Sequence, residues 1–216
     1  MKTIRKLALG LIALASLPAA ALTDASRTQL ERIQGRWAEI NYQTPAAQRE
    51  TAFADLAQLA GRAIAAEPQA AELRIWKGIV LSTWAGARGG LGALDLVKQA
   101  KSELEQALKL DAKALEGSAY TSLGSLYYQV PGWPIAFGDD EKAEAMLKSA
   151  LAINPNGIDP NYFYGDFLIR MKRYAEARAA LEKALAAADR PARASADAGR
   201  REEARQLLKV VQAKMD

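Results

Sequence analysis

One spacing, written three times, constrains this chain more than its composition does. The pattern Ala-x3-Leu-x2-Ala occurs as Ala100-Leu104-Ala107, as Ala143-Leu147-Ala150 and as Ala177-Leu181-Ala184. Upstream of each copy stands a glycine with a large side chain three positions later: Gly78 and Leu81, Gly124 and Tyr127, Gly165 and Leu168. Apolar residues three and four apart share one face of an α-helix, so each copy reads as an amphipathic helix and not as a strand. Small residues on facing stripes let two helix backbones approach, and the leucine fills the space between them. The expected fold is all-α, a solenoid of paired antiparallel helices. An unordered bundle of Ala-rich helices is the bland alternative, but a register that returns in consecutive units argues against it. No heptad pattern persists long enough for a coiled coil.

Start and stop signals divide the chain in the same way. Pro68 and Pro155 follow apolar helical runs that they cannot continue. Asp139, with Asp140 and Glu141 behind it, reads as a helix cap, and so does Asp159 before Pro160. With these boundaries the repeats resemble the tetratricopeptide repeat, a helix-turn-helix unit of about 34 residues. The last unit carries Ile158, Gly165, Leu168, Tyr174, Ala177, Leu181 and Ala184. The middle one carries Tyr120, Leu123, Gly124, Tyr127, Ala143, Leu147 and Ala150. The earlier unit departs from the pattern, with Lys77 where a large apolar residue is usual and Ala112 in place of Pro. The chain thus parses into a signal over 1–21, a degenerate repeat over 22–70, the repeats over 71–188 and, over 189–216, a loop with a capping helix running from Arg200 to Lys214.

The signal rests on Lys2, Arg5 and Lys6 before an apolar run from Leu7 to Leu17, followed by Pro18 and an Ala19-x-Ala21 cleavage pattern. The run is shorter than the roughly 18 to 20 residues that cross a bilayer, so a periplasmic or secreted protein without membrane insertion is expected. Setting those three aside leaves 26 of the 29 basic residues against 25 acidic ones, a balance of +1. So even a balance gives no basis for a nucleic-acid partner. The chain has neither Cys nor His. Thiolate nucleophiles, disulfides and the commonest general base and transition-metal ligand are therefore excluded.

The remaining candidates for chemistry have simpler explanations. Asp139 and Asp140 have the composition of an acid and base pair, yet capping accounts for them. The stretch Gly86 to Gly92 lacks the Gly-Lys-Ser/Thr ending of a phosphate loop. Ser122 and Ser125 have no base to activate them. A non-catalytic protein with no cofactor and no metal is expected.

The family resemblance implies binding instead, on a concave face lined by the first helix of each unit. Its groove positions fall on Ser118, Thr121, Ser125, Tyr128 and Gln129 in the middle unit. In the last unit they fall on Asp159, Tyr162, Asp166, Ile169 and Arg170, and in the earlier one on Glu72, Ile75, Ile79, Ser82 and Thr83. The mixture suits a protein or peptide partner, with a small molecule as the alternative; it lacks the cluster of several cations that some members use for acidic peptide ends. Inserts near 84–94 and 130–139 lengthen two units. Turns of this type emerge on one edge of the stack, so two outcomes are expected: Trp84, Trp133 and Phe137 wall a pocket with Arg88 facing an anion, or Trp133, Ile135 and Phe137 fold back as a plug on the solenoid. The Tyr127 to Asp140 insert and the exported architecture are also similar to the periplasmic tetratricopeptide component associated with TRAP-type transporters. Should the signal be cleaved, N-terminal sequencing of the mature protein finds a chain beginning near Leu22. Recovery of cytoplasmic chain with Met1 attached overturns that expectation.

Overall fold

The computed structural model describes residues 21–215. The segment read as a signal lies outside the described residues except for Ala21. Within them run nine α-helices: α1 (Asp24–Tyr42), α2 (Ala46–Ala66), α3 (Ala71–Arg88), α4 (Leu94–Leu110), α5 (Ala114–Gln129), α6 (Asp140–Ile153), α7 (Ile158–Arg170), α8 (Tyr174–Ala186) and α9 (Ala194–Met215). Short 3-10 turns at Leu91–Ala93 and Pro191–Arg193 precede α4 and α9. No β-strand forms among the described residues.

Helices α1, α3, α5 and α7 each pack on the even helix that follows, α9 packs on α8, and the odd helices also touch one another in sequence. The result is two layers, with α1, α3, α5, α7 and α9 inside and α2, α4, α6 and α8 outside. The repeated register is what joins them. A Cβ added to Gly78 would meet Leu104 Cγ at 2.6 Å, one on Gly124 would meet Leu147 Cγ at 2.6 Å, and one on Gly165 would meet Leu181 Cγ at 2.7 Å. In each case the next neighbour is the carbonyl of the register alanine, Ala100, Ala143 or Ala177, at 3.2 to 3.4 Å. Glycine is used here because the leucine of the second helix occupies the place a side chain would take.

Local signals largely set the helix ends. The Asp139 carboxylate accepts the backbone N–H of Lys142 at 3.0 Å and caps α6. Thr23 caps α1 through its hydroxyl, which accepts from the N–H of Ser26 at 3.2 Å. Lys77, the apparent misfit of the earlier unit, joins Arg74 on the Glu103 carboxylate of α4, at 2.7 and 2.8 Å. Its long apolar stem serves where an apolar residue is usual, and its charge is neutralised across the helix pair.

Three boundary expectations need correction. Gly157, not Asp159, is the N-cap of α7, which begins one residue before the aspartate and so frees its side chain for other partners. The last helix starts at Ala194, six residues earlier than Arg200, and includes much of the stretch read as loop. Trp84 and Arg88 belong to the last turns of α3, and the insert itself begins at Gly89 and Gly90, whose φ values of 67° and 58° favour glycine.

The packing yields a direct stability test. Leu147 and Leu181 are fully buried, and replacing either with Ala should cost about 2 to 5 kcal/mol in urea melts. Lys148→Ala and Lys183→Ala on the exposed face should change stability by less than about 0.5 kcal/mol.

Candidate functional site

The inner layer does not remain open. Helix α9 touches both α7 and α1, so five inner helices close into a ring. At the seam the Gln43 side chain donates to the Ser195 hydroxyl at 3.2 Å. The Tyr42 ring lies so close to Gly199 that any side chain there would collide with it.

The ring encloses a cavity of about 820 Å³. Trp37 and Tyr42 of α1 line it with Phe53 of α2 and with Trp76, Ile79, Ser82 and Thr83 of α3. Ser118, Thr121, Ser122, Ser125 and Gln129 of α5 follow, then Tyr162 and Phe163 of α7. Charge enters from Arg49, Glu116 and Asp159, and from Arg190, Arg193, Arg200 and Glu203 at the closing end. The α5 wall begins with a left-handed turn at Leu115, Glu116 and Gly117, with φ of 47°, 56° and 76°. That turn costs about 1 to 2 kcal/mol for each of the two non-glycine residues, and it places both on the cavity wall.

An ion network ties the closing end together. Arg200 donates to Asp159 at 3.1 Å and to Glu203 at 2.6 Å, while Arg190 donates to the other oxygen of Asp159 at 3.0 Å and to buried Asp197. Burial alone would raise the Asp159 carboxyl, but Arg200 and then Arg190 outweigh it and hold it below the ordinary aspartate range. The Arg200 guanidinium also covers the Tyr162 and Phe163 rings, at 4.4 and 4.7 Å from their centroids. Burial pushes the Tyr162 hydroxyl up to about 12 against the opposing pull of Arg200, so it stays a protonated donor.

Arg193 is different. Its guanidinium lies 4.7 Å over the Trp76 ring and, among the described residues, has no carboxylate at ion-pair distance. Burial lowers its pKa, with Asp159 the main opposing influence. The hydroxyls of Ser118, Ser122 and Ser125 likewise make no hydrogen bond within the described residues.

The groove positions expected from the family divide in two. Ser118, Thr121, Ser125, Gln129, Asp159, Tyr162, Ile79, Ser82 and Thr83 all reach the cavity. Tyr128 and Asp166 instead face each other, the buried phenol donating to the carboxylate at 2.7 Å while accepting from the Gln129 amide at 3.2 Å. They join α5 to α7. Arg170 turns outward to Asp140 at 3.4 Å, and Ile75 is wholly buried in the core.

The composite pocket at the insert edge does not form. Arg88 lies over the Trp84 ring at 4.8 Å and donates to Glu50 at 2.8 Å, so its charge is already committed. Phe137 packs edge-on against Tyr127 at 5.8 Å, on another helix pair. Trp133 is 90% exposed, and no ring contact joins it or Phe137 to Trp84. The plug reading fails for Trp133 and Ile135 as well, since both face solvent; Phe137 alone folds back.

Sequence reasoning missed Trp37, Tyr42, Trp76 and the three arginines of the closing end. The first helices carry no matched register, and nothing local in Arg190 to Arg200 shows that α9 swings back to α1.

The Tetratricopeptide repeat family model matches residues 135–196, from the second insert to the start of α9. That match shows tetratricopeptide-repeat sequence over residues 135–196, and the glycine–leucine contact of Gly165 there has counterparts at Gly78 and Gly124 in the two pairs before it. The chain's repeats are of the kind that mediate protein interaction on a concave face. Among solved structures it is similar to MamA, with 21% identity, a TM-score of 0.44 and coverage of 78% of this chain and 92% of that one. It is also similar to a thermophilic TPR protein of Thermus thermophilus, with 19% identity, a TM-score of 0.44 and coverage of 85% of this chain and 99% of that one. No curated protein matches the chain. The likeness to the TRAP-associated component finds no support in these matches.

The ion network should show in the pH dependence of folding. A depressed aspartate stabilises the fold above its unfolded pKa, near 3.9, and that contribution is lost as pH falls through the lower folded value. Asp159→Asn should cost about 2 kcal/mol or more at pH 7, because Arg200 and Arg190 lose a shared partner. In melts between pH 7 and pH 3 the gap between variant and wild type should narrow below about pH 4.

Proposed function

We propose that this protein is a non-catalytic binding scaffold of the cell envelope that receives a segment of a protein partner in its central cavity. The carrying observation is the ring of inner helices. It gathers aromatic rings, free serine hydroxyls and charged groups from six helices around one space. Concave faces of helical repeats serve as binding surfaces in this architecture, and this one sets unused polar groups beside aromatic side chains. Export is supported by the basic start, the short apolar run and the Ala19-x-Ala21 pattern. No described helix is long and apolar enough to cross a membrane.

A second reading, a carrier for a small ligand, is favoured by the α1–α9 seam. Closure gives a bounded space within the roughly 300 to 1,000 Å³ typical of small-molecule pockets, whereas an open groove would suit a longer peptide.

A cavity-filling variant tests the site. Ser125→Trp should keep the wild-type melting temperature within about 5 °C and lose the partner that wild-type protein captures from envelope extracts. Lys183→Ala on the outer layer should capture it normally. If Ser125→Trp retains the same partner, the cavity is not where that partner binds.

A further inference from the structure

Among the described residues, the closing end of the cavity holds a cation whose pairing is incomplete. Arg190 and Arg200 share Asp159 and have Asp197 and Glu203 besides, so their charges are met within the protein. The remaining carboxylate of the wall, Glu116, accepts from the Asn154 side chain at 2.7 Å. Arg193 has only the face of Trp76. A guanidinium offers five N–H donors in a planar fork that matches a carboxylate, and stacking on an indole leaves that edge open. Arg49 adds a second guanidinium without a carboxylate, held through its Nε on the Thr44 carbonyl at 2.8 Å. The rest of the wall sets the rings of Trp37, Phe53, Trp76 and Phe163 beside polar side chains of α1, α3 and α5, and the Ser118 and Ser122 hydroxyls have no partner within the described residues.

We infer that the cavity binds a small organic monocarboxylate, its carboxylate on Arg193 and its apolar body against the aromatic wall. The inference deepens the small-ligand reading of the same cavity and does not require a protein partner. A monoanion is the match because one exposed fork remains at the closing end after the internal pairs are counted. An apolar body is the match beside that carboxylate because Trp76, over which Arg193 lies, packs against Trp37, whose indole N–H is already donated to Thr83. A doubly charged acid would set its second charge against rings or against Asp159 and Glu203 unless it reached Arg49, whose Nε is already held by the Thr44 carbonyl.

The test uses the full purified chain and calorimetric titration with two pairs of probes, 3-phenylpropanoate with 3-phenylpropanol and 4-methylpentanoate with 4-methylpentanol. In at least one pair the acid should bind about tenfold or more tighter than the alcohol, the scale of a charge-assisted bidentate contact. Arg193→Gln should remove most of that preference while leaving the alcohol's affinity within about twofold, because the aromatic wall is unchanged. Arg193→Lys, which keeps the charge but not the fork, should fall between them and serves where the glutamine variant folds poorly. Exposed Arg178→Gln should behave as wild type. Equal affinity for acid and alcohol, no binding of any probe, or an undiminished preference in a folded Arg193→Gln protein overturns the inference. Loss of partner capture in Ser125→Trp alongside any of those results would leave the scaffold reading standing and this one refuted.

Discussion

The close approach of Gly78, Gly124 and Gly165 to Leu104, Leu147 and Leu181 is the contact that orders everything else in this protein. Each glycine lets the two helices of a pair meet with leucine against backbone, and the same contact recurs in three successive pairs. A constant step from pair to pair is what curves a stack of helices. Had any of the three positions carried a side chain, that pair would spread and the inner helices beyond it would be turned away from the cavity.

Curvature alone would leave an open groove. The closing end turns it into a bounded space, and the forces there differ from those in the stack. Asp159 lies on α7, while Arg190 and Arg200 come from the loop before α9 and from α9 itself. Their pairing fastens the last inner helix to the repeat before it. Gly199 then admits the Tyr42 ring and brings α9 against α1. An ion network with one partner 31% exposed is a modest source of net stability. Its larger effect is on direction, because a guanidinium held on two carboxylates has few alternative placements.

The same arrangement explains why polar groups collect in the cavity. Outer helices bury one stripe and leave the other to water, but an inner helix in a closed ring has no face wholly in bulk solvent. Serines 118, 122 and 125 recur at four and three positions along α5 and keep that wall polar toward the cavity, while Leu123 and Leu126 serve the core. Tyr128, one step round the helix, is carried out of the cavity into the joint with α7, where its phenol donates to Asp166. A shift of one residue in register thus separates a groove residue from a structural one.

The helix pairs, their register, the cap at Asp139 and the lack of His and Cys chemistry were all legible in the chain as written, because each follows from spacing or from residue type. About a third of the cavity wall was legible too, since first-helix positions in matched repeats are local to each unit. The remainder came from the assembled fold. Trp37, Tyr42, Trp76 and Arg193 belong to opposite ends of the chain, and only the return of α9 to α1 brings them together. The insert aromatics failed to converge because long-range partners claimed them: Arg88 lies over Trp84 and pairs with Glu50 of α2, while Phe137 packs on Tyr127. Local spacing fixes what each helix buries, but which distant helices meet depends on summed curvature and on a few long-range charges, and neither is written in any one segment.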